Sequence, residues 1–224
     1  MERTRVALVG AGWWGAQHAR ALTEHPDVEL CAVVDRQRDR AEARGRLYGT
    51  RVYDDIASML EAEHPDFVNL CLPNNEHFEP TREVISSGYP LLVEKPLTID
   101  LAEADLLIKE ANRSNVFFAI NFNHHYATAI ELTRSAIESG SLGDIVFATW
   151  RFGGERDERS SIDHPFANLI ETQCHGFDLL EYLCGPIASV SAEFTDTGAP
   201  GKRWQTLVLA LRFTSGAVGS LLGT

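Results

Sequence analysis

Positive charge is scarce in this chain of 224 residues, where 20 Lys and Arg stand against 32 Asp and Glu for a formal net charge of -12. Such a balance repels phosphate backbones and anionic lipid heads unless a basic patch is concentrated locally. The arginine-rich stretch Arg36, Arg38, Arg40, Arg44 and Arg46 is interrupted by Asp35, Asp39 and Glu42, and reads as the solvated face of a helix. Nucleic acid is therefore not expected as a partner. An apolar run long enough for a signal segment or a membrane span is also missing near the start, since Met1 is followed by charged residues and then only by Val6 to Val9. The four cysteines, Cys31, Cys71, Cys174 and Cys184, form no CxxC pair, so neither a zinc centre nor a disulfide framework is indicated. Repeats and low-complexity segments are absent. Together these features predict a soluble, cytoplasmic protein with no membrane or metal partner, and 44% apolar residues suffice for a sizeable core.

The first half alternates short, β-branched apolar runs with longer stretches of helical period, the pattern of a parallel sheet covered by helices. Strands are expected near 5–9, 29–34, 67–71, 90–93 and 116–120, with helices near 14–24, 38–48, 55–63, 76–87 and 100–113. This is a doubly wound α/β domain over residues 1–121. The rhythm then changes: a helix near 126–138, a strand near 145–153, a charged loop at 154–165, a long helix at 167–184, and strands near 187–195, 204–213 and 216–222. A second domain, 122–224, is thus expected to be α+β, with an open, mainly antiparallel sheet and helices on one face. Because the chain stops inside a strand-like run, Gly219 to Thr224, this domain is expected to be incomplete.

The apolar strand Val6–Val9 runs straight into Gly10-Ala-Gly12-Trp-Trp-Gly15 and a helix former. Gly10 suits a tight turn, Gly12 a close approach of backbone to a pyrophosphate, and Gly15 close packing of helix on strand. Asp35 ends the second apolar run, where a carboxylate can accept from both ribose hydroxyls and repel a 2′-phosphate; a helix N-cap is equally compatible with the position. NAD is favoured, and Arg36 next door keeps NADP open. Leu72-Pro73-Asn74 and His77 follow another strand end, where His77 reads either as a surface or cap residue or as a contact to cofactor or substrate. Glu94-Lys95-Pro96 follows Leu91–Val93. Lys95 can donate to a substrate oxygen and favour a developing alkoxide, or pair with Glu94 at the surface. Glu171, His175 and Asp178 stand at i, i+4 and i+7 on one expected helix face, so a carboxylate can orient the imidazole as a base, although a packed or exposed histidine fits the same spacing. A metal on His175 with Glu171 or His124 lacks a third ligand at a recognisable spacing. Ser160-Ser161 and the cysteines lack a suitably spaced base.

Taken in order, GAGWWG at 10–15, Val34-Asp35, Cys71 to His77, Glu94-Lys95-Pro96, Asn121 to Tyr126, Gly140 to Ile145 and the Glu171–His175–Asp178 stretch resemble the Gfo/Idh/MocA family, and the match covers nearly the whole chain. The resemblance implies a Rossmann domain followed by a substrate-binding domain whose open sheet forms a homodimer or homotetramer interface. It also implies a nicotinamide cofactor held at the domain junction and dehydrogenase or reductase activity on CH–OH groups of a sugar, cyclitol or sugar nucleotide. Cofactor contacts would come from Gly10, Gly12, Trp13, Trp14, Gly15, Asp35, Arg36, Leu72, Pro73, Asn74, His77, Glu94 and Lys95. Lys95, His175 and Glu171 would carry the catalysis, with His175 as general acid/base. Asn123, His124, Tyr126 and Arg151 would join Lys95 and His175 around the substrate. Many members carry Asp where Glu171 stands and Gly where Gln173 stands, so a shifted His175 and a pocket narrowed by Gln173 are expected, and the substrate class is left open. Members also usually extend about a hundred residues further, a large fraction of a domain core. Two alternatives go with the resemblance: glycosidase or lyase chemistry through transient oxidation, and a cofactor-binding relative without turnover.

Overall fold

A computed structural model describes residues 2–153, 164, 166, 167, 169–195 and 206–223. The expected loop at 154–165, including Ser160 and Ser161, lies almost wholly outside the described residues, as does the start of the strand expected at 204. The chain divides into two compact units, Met1–Asn121 and Phe122–Thr224.

In the first unit, β1 (Thr4–Val9), α1 (Trp13–Glu24), β2 (Val28–Val34), α2 (Arg38–Tyr48), β3 (Arg51–Tyr53), α3 (Ile56–Glu63), β4 (Phe67–Leu70), α4 (Phe78–Ser86), β5 (Leu91–Val93), α5 (Leu101–Ser114) and β6 (Phe118–Ile120) alternate along the chain. Every strand pairing is parallel, in the order β3-β2-β1-β4-β5-β6. The strands read as continuous apolar runs because both faces are covered. Ala7 and Val9 of β1 pack with Met59, Ile85 and Leu107 of α3, α4 and α5, whereas Leu8 between them packs with Ala19 and Ala41 of α1 and α2. The order reverses between β1 and β4, the switch point at which such sheets bind ligands at their carboxyl ends. Sequence reading missed β3, whose three residues are too few to display a period of two. The expected helix at 76–87 begins later, at Phe78, after a 3-10 turn over Asn74–Glu76.

The second unit comprises a 3-10 turn (Asn123–Tyr126), α6 (Thr128–Glu138), β7 (Phe147–Phe152), a π-helical turn (Leu169–Gln173), α7 (Cys174–Cys184), β8 (Ile187–Thr195), β9 (Thr206–Phe213) and β10 (Val218–Gly223). Its sheet runs β7-β10-β9-β8, antiparallel except for the parallel pair β10 and β7. Alternation along β9 turns Leu207, Leu209, Leu211 and Phe213 inward, where they form a core with Leu221 and with Leu180 of α7. Val208 between them is 49% exposed on the outer face. The long helix expected at 167–184 is therefore two structures, a wider π turn and then a regular α-helix from Cys174.

Candidate functional site

In the first unit the site is built on the turn between β1 and α1. Gly10 has φ of 101°, a conformation L side chains rarely adopt. A Cβ there would stand 2.0 Å from the carbonyl oxygen of Cys71, and a Cβ on Gly15 would stand 2.0 Å from that of Gly10. The two glycines thus let β1, the end of β4 and α1 close on one another. Gly12 differs, because among the described residues nothing beyond its chain neighbours lies within 4 Å of where its Cβ would be. It is also the N-cap of α1, with no side-chain cap and no acid in the first turn. The leading N–H groups of the helix, and its partial positive charge, therefore face open space that suits a phosphate. Trp13 and Trp14 stand on that first turn, 67% and 54% exposed and edge-on to each other at 4.7 Å.

Asp35, just beyond β2, is tied into this turn. Its Oδ2 accepts from the N–H of Ala11 at 2.8 Å and its Oδ1 from that of Gln37 at 2.8 Å. The N-cap of α2 is Gln37, so capping is not what Asp35 does. Each carboxylate oxygen keeps a further lone pair for a hydroxyl. Arg36 forms an ion pair with Glu76 in the turn after Pro73 and Asn74. The residues present thus fit a dinucleotide with unmodified ribose: open backbone donors for its phosphates and an acid for its hydroxyls.

His77 corrects an expectation. It is 1% exposed, so it is no surface residue; it stands at the N-cap of α4 without a side-chain capping bond, and its Nδ1 and Nε2 face the carbonyl oxygens of Pro96 at 2.6 Å and Leu72 at 3.0 Å. With both nitrogens turned to backbone, it clasps two loops together. Glu94 is also engaged. Its Oε1 accepts from Nε2 of His18 at 2.9 Å and from Nδ2 of Asn121 at 2.6 Å, and its Oε2 from the backbone N–H of Lys95 at 3.2 Å. Burial pushes the Glu94 carboxyl up, but the hydrogen bonds from His18 and Asn121 and the neighbouring Lys95 charge outweigh it and hold the group below its ordinary value. Burial, with the Glu94 charge added, pushes the Cys71 thiol up to about 12, which favours the protonated thiol.

In the second unit, the 3-10 turn sends two adjacent histidines to different partners. His124 stacks on His175, ring centroids 4.2 Å apart and planes 6° from parallel, while Phe122 meets His175 edge-on at 5.9 Å. His125 donates through Nε2 to Asp178 at 2.6 Å and stacks on Tyr182 at 4.0 Å. The carboxylate expected to help orient His175 therefore serves His125. Burial of Asp178 outweighs that bond and raises its carboxyl above the ordinary value. Asn123 is exposed and Tyr126 is 79% exposed.

Two further expectations change. Arg151, expected beside His175, pairs in register with Leu222 on the outer face of the sheet. Its neighbour Trp150 faces inward, where its ring meets His124 at 5.9 Å and its Nε1 donates to Gln173 at 3.0 Å. Strand alternation places one of two successive residues on each face, and the chain spacing did not reveal which. Gln173 is fully buried, with Nε2 donating to the carbonyl of Phe152 at 3.3 Å, so it braces α7 against β7. Sequence reading missed His18 and Asn69. The available signal for His18 was its place three residues after Gly15 on the helix that opens at the glycine turn. Among the described residues no group of three or more His, Cys, Asp and Glu gathers as a metal site would require.

Comparison with known proteins adds to this geometry. Residues 4–122 match an oxidoreductase family with an NAD-binding Rossmann fold, and residues 130–224 match the GFO/IDH/MocA C-terminal domain. The chain is 34% identical over 149 residues to D-glucoside 3-dehydrogenase of Escherichia coli (strain K12), covering 66% of this chain and 42% of that protein. It is 27% identical over 225 residues to myo-inositol 2-dehydrogenase of Thermotoga maritima, covering 96% of this chain and 66% of the relative. The fold is that of the WlbA dehydrogenase from Bordetella pertussis, solved with NADH and UDP-GlcNAcA, at a TM-score of 0.90 and 24% identity over 100% of this chain and 67% of that one. The chain thus spans between 42% and 66% of these two curated relatives.

Proposed function

Because the chain belongs to the Gfo/Idh/MocA oxidoreductases, with an NAD-binding Rossmann domain at its N-terminal side, we propose that it works in a dehydrogenase acting on a hydroxyl of a sugar or cyclitol. The observation that carries this reading is the open backbone at Gly12 beside an Asp35 already tied to the same turn. The relatives' names denote glucosides and inositol, both polyhydroxylated rings, and that class is carried over here. NAD is the preferred cofactor, since Asp35 repels a 2′-phosphate and Glu76 engages Arg36.

A bound nicotinamide supplies the hydride acceptor. The chain's own residues handle the oxygen and its proton. Lys95 donates to the substrate oxygen and stabilises charge as it develops there. His175, its ring face held by His124 and its edge by Phe122, takes the hydroxyl proton. Reduction runs through the same groups in reverse. Association of two or four copies through the outer face of the second sheet belongs to the same proposal. That face carries Phe147, Val208 and Val218 at 61%, 49% and 40% exposure, and sedimentation of Val208→Lys against the parent chain tests it.

The test of function is direct. The purified chain is incubated with NAD and a panel of sugars, cyclitols and sugar nucleotides while nicotinamide absorbance is followed. His175→Ala and Lys95→Ala are expected to keep NAD binding and lose most turnover. Unchanged rates in both would remove the assignment.

A further inference from the structure

Beneath the Lys95 loop lies a set of buried polar side chains that the chemistry above does not use. The side chains of His18 and Glu94 are each 12% exposed, and Asn69 is 4% exposed. Asn69 Nδ2 donates to Nδ1 of His18 at 2.9 Å, which leaves the imidazole proton on Nε2, where it is given to Glu94 at 2.9 Å. Asn121 adds a second donor to the same carboxylate oxygen at 2.6 Å, and the other oxygen takes the backbone N–H of Lys95. One carboxylate therefore joins α1, which opens at the glycine turn, to the ends of β5 and β6, and through His18 to β4. The titratable groups around it are His18, Lys95 and the Cys71 thiol at the end of β4.

A buried, ionised carboxylate is a poor source of stability, because desolvation offsets much of what its partners return. What this arrangement does supply is geometry, since it fixes the residue immediately before Lys95 at both carboxylate oxygens. We propose that His18 is a positioning residue for Lys95, acting through Glu94. The inference rests on the role given to Lys95 above. With the His18 donor gone, Oε1 is held by Asn121 alone, and the carboxylate is free to turn towards the Lys95 ammonium. That draws the ammonium from its working position and partly neutralises the charge it would offer a substrate oxygen.

Two readouts test this in the full chain. Only three lysines occur, Lys95, Lys109 and Lys202, so reductive methylation with 13C-formaldehyde gives few resonances, and Lys95→Arg assigns the relevant one. In His18→Leu the Lys95 resonance is expected to move and kcat to fall about 10- to 100-fold, the scale of a misplaced catalytic group. KM and NAD affinity are expected to stay within about threefold. His18→Gln, which keeps a donor at the same reach, is expected to restore both the resonance and kcat. Should His18→Leu misfold, His18→Asn carries the same expectation, being too short to reach Glu94. An unmoved Lys95 resonance in the donor-less variants, or a Gln variant as impaired as Leu, overturns the proposal. The resonance needs no substrate, so a parent chain that turns over no polyol sinks the dehydrogenase reading while the coupling of His18 to Lys95 is still decided.

Discussion

Adding one methyl group at either of two glycines should separate the architecture of the turn from its binding role. A Cβ at Gly15 would lie 2.0 Å from the Gly10 oxygen and 2.9 Å from its carbon. An ordinary C···O contact is about 3.3 Å, so the turn must open by roughly 1 Å or more. Gly10 resists this, since its N–H is bonded to Val34 at 2.8 Å and the space for its own Cβ is filled by Cys71. Overpacking of this kind costs about 2–3 kcal/mol. For a domain of roughly 100 residues, at about 4–8 °C per kcal/mol, the melting temperature of Gly15→Ala should fall by ~10–20 °C. Gly12 has φ of -66° and ψ of -163°, which alanine adopts, and no described residue beyond its neighbours comes within 4 Å of its Cβ position. Gly12→Ala should therefore melt within about 0.5 kcal/mol of the parent. Its methyl nonetheless occupies the approach to the helix N–H groups, and a loss of ~2.7 kcal/mol there is roughly 100-fold in NAD affinity. Circular dichroism measures the first quantity. Quenching of the exposed Trp13 and Trp14 by added NAD measures the second. A Gly12→Ala chain that binds NAD as the parent does would refute the reasoning, and one that melts like Gly15→Ala would refute its steric half.

Other perturbations follow from single contacts. Glu63, 3% exposed, accepts from Arg5 at 2.8 Å and Tyr53 and pairs with Arg51 at 3.0 Å. Glu63→Ala should cost about 2–3 kcal/mol in urea unfolding yet leave NAD affinity unchanged, because none of Glu63's side-chain partners Arg5, Arg51 and Tyr53 belongs to the glycine turn. Glu76→Ala releases Arg36 and should raise NADP affinity several-fold, by about 0.5–1 kcal/mol for an exposed pair, with NAD affinity flat in the same titration. The Glu94 carboxyl is held below its ordinary 4.5 despite burial, by His18, Asn121 and the nearby charges. Its contribution is complete above that pH and lost as pH falls through the lower folded value, so the stability deficit of Glu94→Gln should shrink on acidification below 4.5. A deficit that grows instead would contradict the sign.

How much could be read in advance depended on the range of the physics involved. The β1–turn–α1 segment was legible because its rules act between neighbours: apolar runs, a glycine at positive φ, a helix opening on a turn. The parallel sheet was legible because burial on both faces leaves unbroken apolar strands. Three residues of β3 carried no such signature, and its pairing with β2 supplies what its own pattern lacks. The side-chain partnerships were the least legible. Asp178 stands three residues from His175 in sequence, yet it serves His125, which the 3-10 turn at Asn123–Tyr126 delivers from another element. Arg151 and Trp150 are adjacent, and only the register with β10 shows which faces α7.

From its order of residues alone this protein's class of fold, its glycine turn and its family resemblance could be worked out, since propensity, periodicity and the steric freedom of glycine are local and persist wherever the segment is placed. Which imidazole meets which carboxylate, and that His77 and Gln173 brace loops and strands, came only with the tertiary structure. A hydrogen bond is made over about 3 Å between groups that chain folding brings together from many residues apart, and no local rule encodes that meeting.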